Sequence, residues 1–156
     1  IRAIGQLKQE GLVVELALLG GGKASLQAKA KRLVHSLGLS EQVHFLGHSN
    51  QVPQLLASYQ IAALITHYEG MPLALVEAMA AGCAVVASSV VGVKEILALG
   101  VGVAVEENNV AQLAQVLADL LQNPAKAEII GNKARAYALE HFTQEKMLAG
   151  YAKLIQ

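Results

Sequence analysis

Glu69 and Glu77 stand eight positions apart, on either side of a Gly70-Met71-Pro72 turn. A carboxylate before a turn and another inside the following helix can each accept hydrogen bonds from ligand hydroxyls. The turn itself can present backbone N–H groups to an anion, because the first amides of a helix lack intrahelical partners and lie at the positive end of its dipole. With Pro72 at the first helical position, the amides of Leu73 and Ala74 point out of the helix end, and Gly70 lets a ligand approach the backbone closely. Glu77 lies one turn after Leu73 on the same helix face, placed to grip a vicinal diol such as a ribose. Glu69, across the turn, could do the same for a second sugar. The ligand these residues describe combines a sugar, a diphosphate and a nucleoside. The spacing is equally met by a Glu that complements a helix dipole beside an ordinary Gly-Pro turn, so both readings stand at this point.

The elements that must position these residues are legible as alternating strands and helices. Residues 12–19 form an apolar run closed by Gly20-Gly21-Gly22 and read as a buried strand. Residues 25–37 carry a helical stripe stopped by Gly38. Strands are expected over 43–47, 61–66, 84–88 and 101–105, with helices over 52–59, 72–81 and 94–99 between them. Three helices close the chain, the first capped by Asn109 with Gln112 three residues on, the second begun by Asn123-Pro124, the third capped by Thr143. Strand–helix alternation predicts α/β architecture: a Rossmann-like parallel sheet with helices on both faces, in a single domain over 1–156. A pocket at the carboxyl end of a strand, as the Glu69 turn requires, is where such sheets bind ligands.

Composition narrows the function. Hydrophobic residues make up 54% of 156 and charged residues 15%, which supports a sizeable core and excludes disorder. Twelve basic residues balance twelve acidic ones, which argues against a nucleic-acid partner. Residues 71–93 hold one acidic residue, Glu77, and one proline, with glycines at 82 and 92. They read as a buried helix followed by a buried strand rather than a membrane span. Cys83, the single cysteine, reads as a small buried packing residue in a reducing compartment. With no leader pattern after Ile1, the expected location is cytoplasmic, and the missing initiator methionine suggests a fragment. Gly20-Gly21-Gly22-Lys23 lacks the Gly at 17 and the Ser or Thr at 24 of a phosphate loop, so it reads as a turn rimming a cleft, with Gly21 a candidate ligand contact. The five histidines have no metal-ligand spacing. No metal or cofactor is expected.

The segment Glu69-Gly70-Met71-Pro72 with Glu77-Ala78-Met79-Ala80-Ala81-Gly82-Cys83-Ala84-Val85-Val86 resembles the Glu, seven residues, Glu signature of the retaining glycosyltransferases of family 4, also called glycosyl transferases group 1. Val43-His44-Phe45-Leu46-Gly47, Gly92-Val93-Lys94-Glu95-Ile96, Ala134-Arg135 and Phe142-Thr143 look like further pieces of that family, so the likeness covers nearly the whole chain. The family has two nucleotide-binding-like domains facing across a cleft, the GT-B arrangement, and this chain is similar to the second, the nucleotide-sugar half. The resemblance implies that Glu69 is the catalytic carboxylate, contacting the transferred sugar. It places Glu77 on the ribose, the amides of Gly70, Met71, Pro72 and Leu73 (Pro72 lending only its fixed backbone) at the sugar and diphosphate, and Leu46 and Gly47 at the base. The partners implied are a nucleotide-diphosphate sugar donor and an N-terminal acceptor domain absent here, through which any membrane association would run. Two departures are visible: Ala84 stands where the family often has Pro, and the family's diphosphate-neutralising Arg and Lys lie upstream of Ile1. Lys23 and Lys94 are candidate electrostatic helpers. The expected activity is hexosyl transfer by the intact enzyme and none by the chain alone. The alternative is a non-catalytic nucleotide-binding or interaction module of the same fold.

Overall fold

The computed structural model describes residues 1–154. In chain order the elements are α1 (Arg2–Gln9), β1 (Leu16–Leu19), α2 (Ala24–Ser36), β2 (Val43–Gly47), α3 (Val52–Ala57), β3 (Ile61–Leu64), α4 (Leu73–Ala81), β4 (Ala84–Ser88), α5 (Val93–Leu97), β5 (Val103–Val105), α6 (Val110–Gln122), α7 (Pro124–His141) and α8 (Gln144–Leu154). All strand pairings are parallel, as the alternation predicts. They form two sheets, β1-β2 and β3-β4-β5, where the sequence suggests one. Two compact units result: residues 1–52 with 109–118, and residues 53–108 with 119–156.

In the first unit, β1 is shorter than its apolar run. The ladder starts at Leu16, Val13 is exposed, and the strand's residues are only half-covered, so the expected buried strand over 12–19 is corrected to a short one whose sheet has a single neighbour. The register slips after Leu18: Leu18 faces Phe45 and Leu19 faces Gly47, leaving Leu46 as the extra residue of a bulge beside Gly47, which takes φ +66°. Gly38 ends α2 in the left-handed conformation that favours glycine. Leu7, Val34, Leu39 and Val43 are buried here.

The second unit is organised around β4. All five residues, Ala84 to Ser88, are buried between β3 and β5, which is why this stretch reads as a continuous apolar run rather than an alternating one. The α4 helix presents Leu75, Ala78 and Met79 to the core and leaves Glu77 outside. Gly82 ends it at φ +89°. The long α7 packs on α4 and β4 through Ala127, Gly131, Ala134 and Ala138, all buried at helical spacing. Small side chains let the backbones close up: a Cβ on Gly131 would collide with the Gly82 carbonyl oxygen and stand 3.3 Å from the Ala84 nitrogen. Cys83, 1% exposed, fills the adjoining space, and its Sγ lies 3.2 Å from the Leu56 carbonyl; it is the packing residue expected. Each fully buried Leu, Val or Met in this core contributes about 1.5–3 kcal/mol.

The caps follow the sequence with one change. The Asn109 Oδ1 accepts the Gln112 N–H at 2.9 Å, and the Thr143 Oγ1 accepts the Lys146 N–H at 3.3 Å. Asn123 and Pro124 hold the N-cap and first positions of α7, but the Asn123 amide donates backward to the Asp119 carbonyl at 2.8 Å instead of capping. No helix among the described residues is long and apolar enough to cross a membrane.

Candidate functional site

The connection from β3 to α4, residues 65–72, carries the predicted turn at the carboxyl end of a strand adjoining the central β4. Glu69 is half-buried there, while Gly70, Met71, Leu73 and Glu77 are exposed and Pro72 is buried. Pro72 is not the first helical residue, as its ring geometry would allow, but the N-cap, with ψ 75°. Its carbonyl accepts from both Leu75 and Val76, and the Leu73 N–H turns back to the Met71 carbonyl at 2.9 Å. The expectation that the Leu73 amide points free of the helix is therefore corrected: a tight turn at Met71–Leu73 uses it. Ala74 is the remaining first-turn amide outside these bonds.

The turn is held from behind by the loop after β4. A Cβ on Gly92 would lie 2.6 Å from the carbonyl oxygens of both Glu69 and Gly70, and Gly92 takes φ +84°. Both facts require glycine: the loop backbone presses directly on the motif backbone, in a conformation L side chains resist. The Glu95 carboxylate, three residues into α5, reaches back to accept the Gly92 N–H at 2.6 Å; Gly92 has no side chain to return the bond. On this side a hollow of about 470 Å³ is lined by Gly70, Met71, Val91, Gly92, Tyr137 and Phe142, among others. Neither Glu69 nor Glu77 lines it. A larger hollow at the α6–α7 junction, around Asp119 and Lys126, involves no predicted residue.

On the connection itself the His67 ring pairs with the Glu107 carboxylate at 3.1 Å. Lys94, also in this unit, lies exposed on α5.

In the first unit, Leu46 and Gly47 form the β2 bulge described above. The Gly20 N–H donates to the Gly47 carbonyl at 2.7 Å, and Gly21 lies against the His48 ring, so the glycine-rich turn is tied to the end of β2. Lys23 caps α2 by position only, without a side-chain bond. His44 pairs with Glu15 at 2.5 Å. Among the described residues no group of three His, Cys, Asp or Glu side chains is placed to hold a metal ion.

Sequence reasoning missed Ser88 and Thr66 as supports of the turn. Ser88 is buried, 1% exposed, and its Oγ accepts the Thr66 N–H at 3.0 Å. The signal was a hydroxyl closing an otherwise apolar buried run, which must find a partner.

Parallel strands alternating with helices define the α/β class in which ligands bind beyond the carboxyl ends of the strands. The chain belongs to the family of glycosyl transferases group 1, whose sequence model matches residues 1–137. No curated protein matches. Among solved structures it is similar to Anabaena HepE in complex with UDP-glucose, at 25% identity and a TM-score of 0.90, covering 99% of this chain and 43% of that one. It is also similar in fold to the sucrose-phosphate synthase of Thermosynechococcus elongatus, at 24% identity and a TM-score of 0.89, covering 99% and 40%. WaaG, a glycosyltransferase involved in lipopolysaccharide biosynthesis, matches at 25% identity and a TM-score of 0.77 over 93% of this chain and 38% of its own. The fold is that of the C-terminal half of a GT-B glycosyltransferase, and the chain spans about two fifths of the length of these structures.

Proposed function

We propose that residues 1–156 form the donor-binding domain of a retaining, family 4 hexosyltransferase, which moves a sugar from a nucleotide diphosphate to an acceptor hydroxyl. The observation that carries the reading is the Glu69–Glu77 turn, placed at the carboxyl end of β3 and braced by the Gly92 backbone, in a chain of the glycosyl transferases group 1 family. HepE in complex with UDP-glucose supports a nucleotide-sugar as the ligand class. Glu69 contacts the transferred sugar and Glu77 the ribose hydroxyls. The backbone of Gly70 and Met71, with the Ala74 amide, faces the diphosphate; Pro72 fixes the turn, and the Leu73 amide is excluded from that role by its bond to Met71. Amides aimed at the diphosphate stabilise the charge that develops as it leaves. Front-face attack by the acceptor, without metal or cofactor, gives retention. The acceptor half and the cationic pair lie outside this chain, so the chain alone binds donor and does not transfer sugar.

The test is a calorimetric titration of UDP-glucose and other nucleotide-sugars into wild type and Glu77→Ala. Glu77 is exposed and has no ion pair among the described residues, so its removal leaves the fold intact. Loss of two hydroxyl contacts weakens binding by about 1–3 kcal/mol. Unchanged affinity would favour the interaction-module alternative, and sugar transfer by the isolated chain would refute the division of labour.

A further inference from the structure

We infer that Ser88 is a positioning residue for Glu69: its buried hydroxyl continues the β3–β4 ladder past its last backbone pair and fixes the start of the turn that carries the carboxylate. The inference deepens the donor-site reading and rests on it. The ladder between β3 and β4 ends at Leu64 and Ala87. Two residues later the Thr66 N–H has no strand carbonyl to meet, and the Ser88 Oγ takes that place at 3.0 Å, from a side chain 1% exposed. Thr66 passes the constraint on. Its Oγ1 donates to the Tyr68 carbonyl at 3.1 Å, one peptide from Glu69. Immediately beyond, the Gly92 backbone abuts the Glu69 and Gly70 carbonyls. The turn is thus gripped at both ends by the same strand and the loop that leaves it, Ser88 before the carboxylate and Gly92 after it. A hydroxyl in this place, rather than another apolar residue of the β4 run, satisfies a backbone donor that would otherwise be left without a partner beside the core.

Two measurements on the 156-residue chain test the assignment. The first is hydrogen exchange without ligand, comparing wild type, Ser88→Ala and Ser88→Thr. Ser88→Ala is expected to speed exchange of the Thr66 and Tyr68 amides, the two that bond to the Ser88 and Thr66 hydroxyls, about tenfold, with the Met79 and Val85 amides unchanged, and Ser88→Thr to restore protection. Unchanged loop exchange, or acceleration spread evenly into the core, would overturn the inference. The second is a cycle of UDP-glucose affinities over Ser88→Ala, Glu69→Ala and the double variant. Ser88→Ala is expected to weaken binding about five- to tenfold in the wild-type background, and less than about twofold once Glu69 is gone, because the hydroxyl acts through that carboxylate. Equal losses in both backgrounds would reduce Ser88 to a structural residue. If Glu69→Ala itself leaves UDP-glucose affinity unchanged, the donor-site reading falls instead, and the exchange data alone decide whether Ser88 holds the turn.

Discussion

Gly70→Ala separates a glycine needed by the fold from one needed by a ligand. Gly70 is exposed, its φ lies outside the left-handed region, and an added Cβ would meet nothing within 4 Å. The methyl group therefore enters open space without strain. Replacing glycine at a compatible position reduces the freedom of the unfolded chain and stabilises by about 0.4–1 kcal/mol. For a chain of this size that is a rise in melting temperature of about 1–4 °C. The same methyl stands where the diphosphate is proposed to approach the turn, and a tenfold loss of affinity is a modest expectation for such a clash. At a ligand concentration about a hundred times the wild-type Kd, binding stabilises wild type by about 2.7 kcal/mol, and a tenfold weaker variant by about 1.4 kcal/mol. Differential scanning fluorimetry with and without UDP-glucose would then show the variant melting higher than wild type when empty, with roughly half the ligand-induced shift. A variant that melts higher and keeps the full shift would refute the idea that the ligand meets the backbone at Gly70. One that melts lower when empty would refute the description of the turn.

Gly131→Ala is the opposite case, since its methyl collides with the Gly82 carbonyl in a backbone-to-backbone contact. Destabilisation of about 2–4 kcal/mol is expected, read as a fall in melting temperature of about 5–15 °C, whereas Gly150→Ala, with nothing within 4 Å, should leave the melt unchanged or slightly higher. A fall smaller than a few degrees for Gly131→Ala would mean α7 does not pack as closely on α4 as described. Burial pushes the Cys83 thiol above its ordinary pKa. Its folded value being the higher, the neutral thiol's contribution is complete below the unfolded thiol pKa and is lost as pH rises from there through the folded value. Melting temperature should fall as pH rises past the ordinary thiol pKa, less steeply in Cys83→Ala, and an identical slope in both proteins would remove the thiol from the account. Ellman's reagent should likewise leave the native thiol unmodified and react fully once the chain is unfolded in guanidinium chloride.

Patterns set by local chemistry were legible in the sequence. The β2 boundaries at Val43 and Gly47, the turn between β3 and α4, the left-handed Gly38 and the Asn109 and Thr143 caps each follow from the residues that form them. So did the strand–helix alternation, because a short β-branched apolar run between a glycine and a serine pair, such as Ala84–Ala87, fits a strand covered on both faces. What escaped depends on neighbours distant in sequence. The apolar run at 12–19 yields a four-residue strand because its length is set by what β2 offers as a partner. Pro72 at the N-cap, and the Leu73 amide spent on Met71, reflect a tight turn that proline's fixed φ permits but does not dictate. The two carboxylates could be named from their spacing. The residues that hold the first of them, Ser88 and Gly92, reach it from 19 and 23 positions away along the chain, and no local pattern joins them.

The seam between α4 and α7 is built from alanines, glycines and bare backbone, and such a surface has no slack. A bulky side chain can rotate to absorb an intruding methyl, but a peptide plane cannot. The Glu77 helix therefore inherits its position from residues 127–138, some fifty positions downstream. Trimming the chain before Ala134 would strip the cover that Ala134 and Ala138 give to Ala78 and Met79 and release the motif helix, so the shortest piece that keeps Glu77 in place must run at least to Ala138.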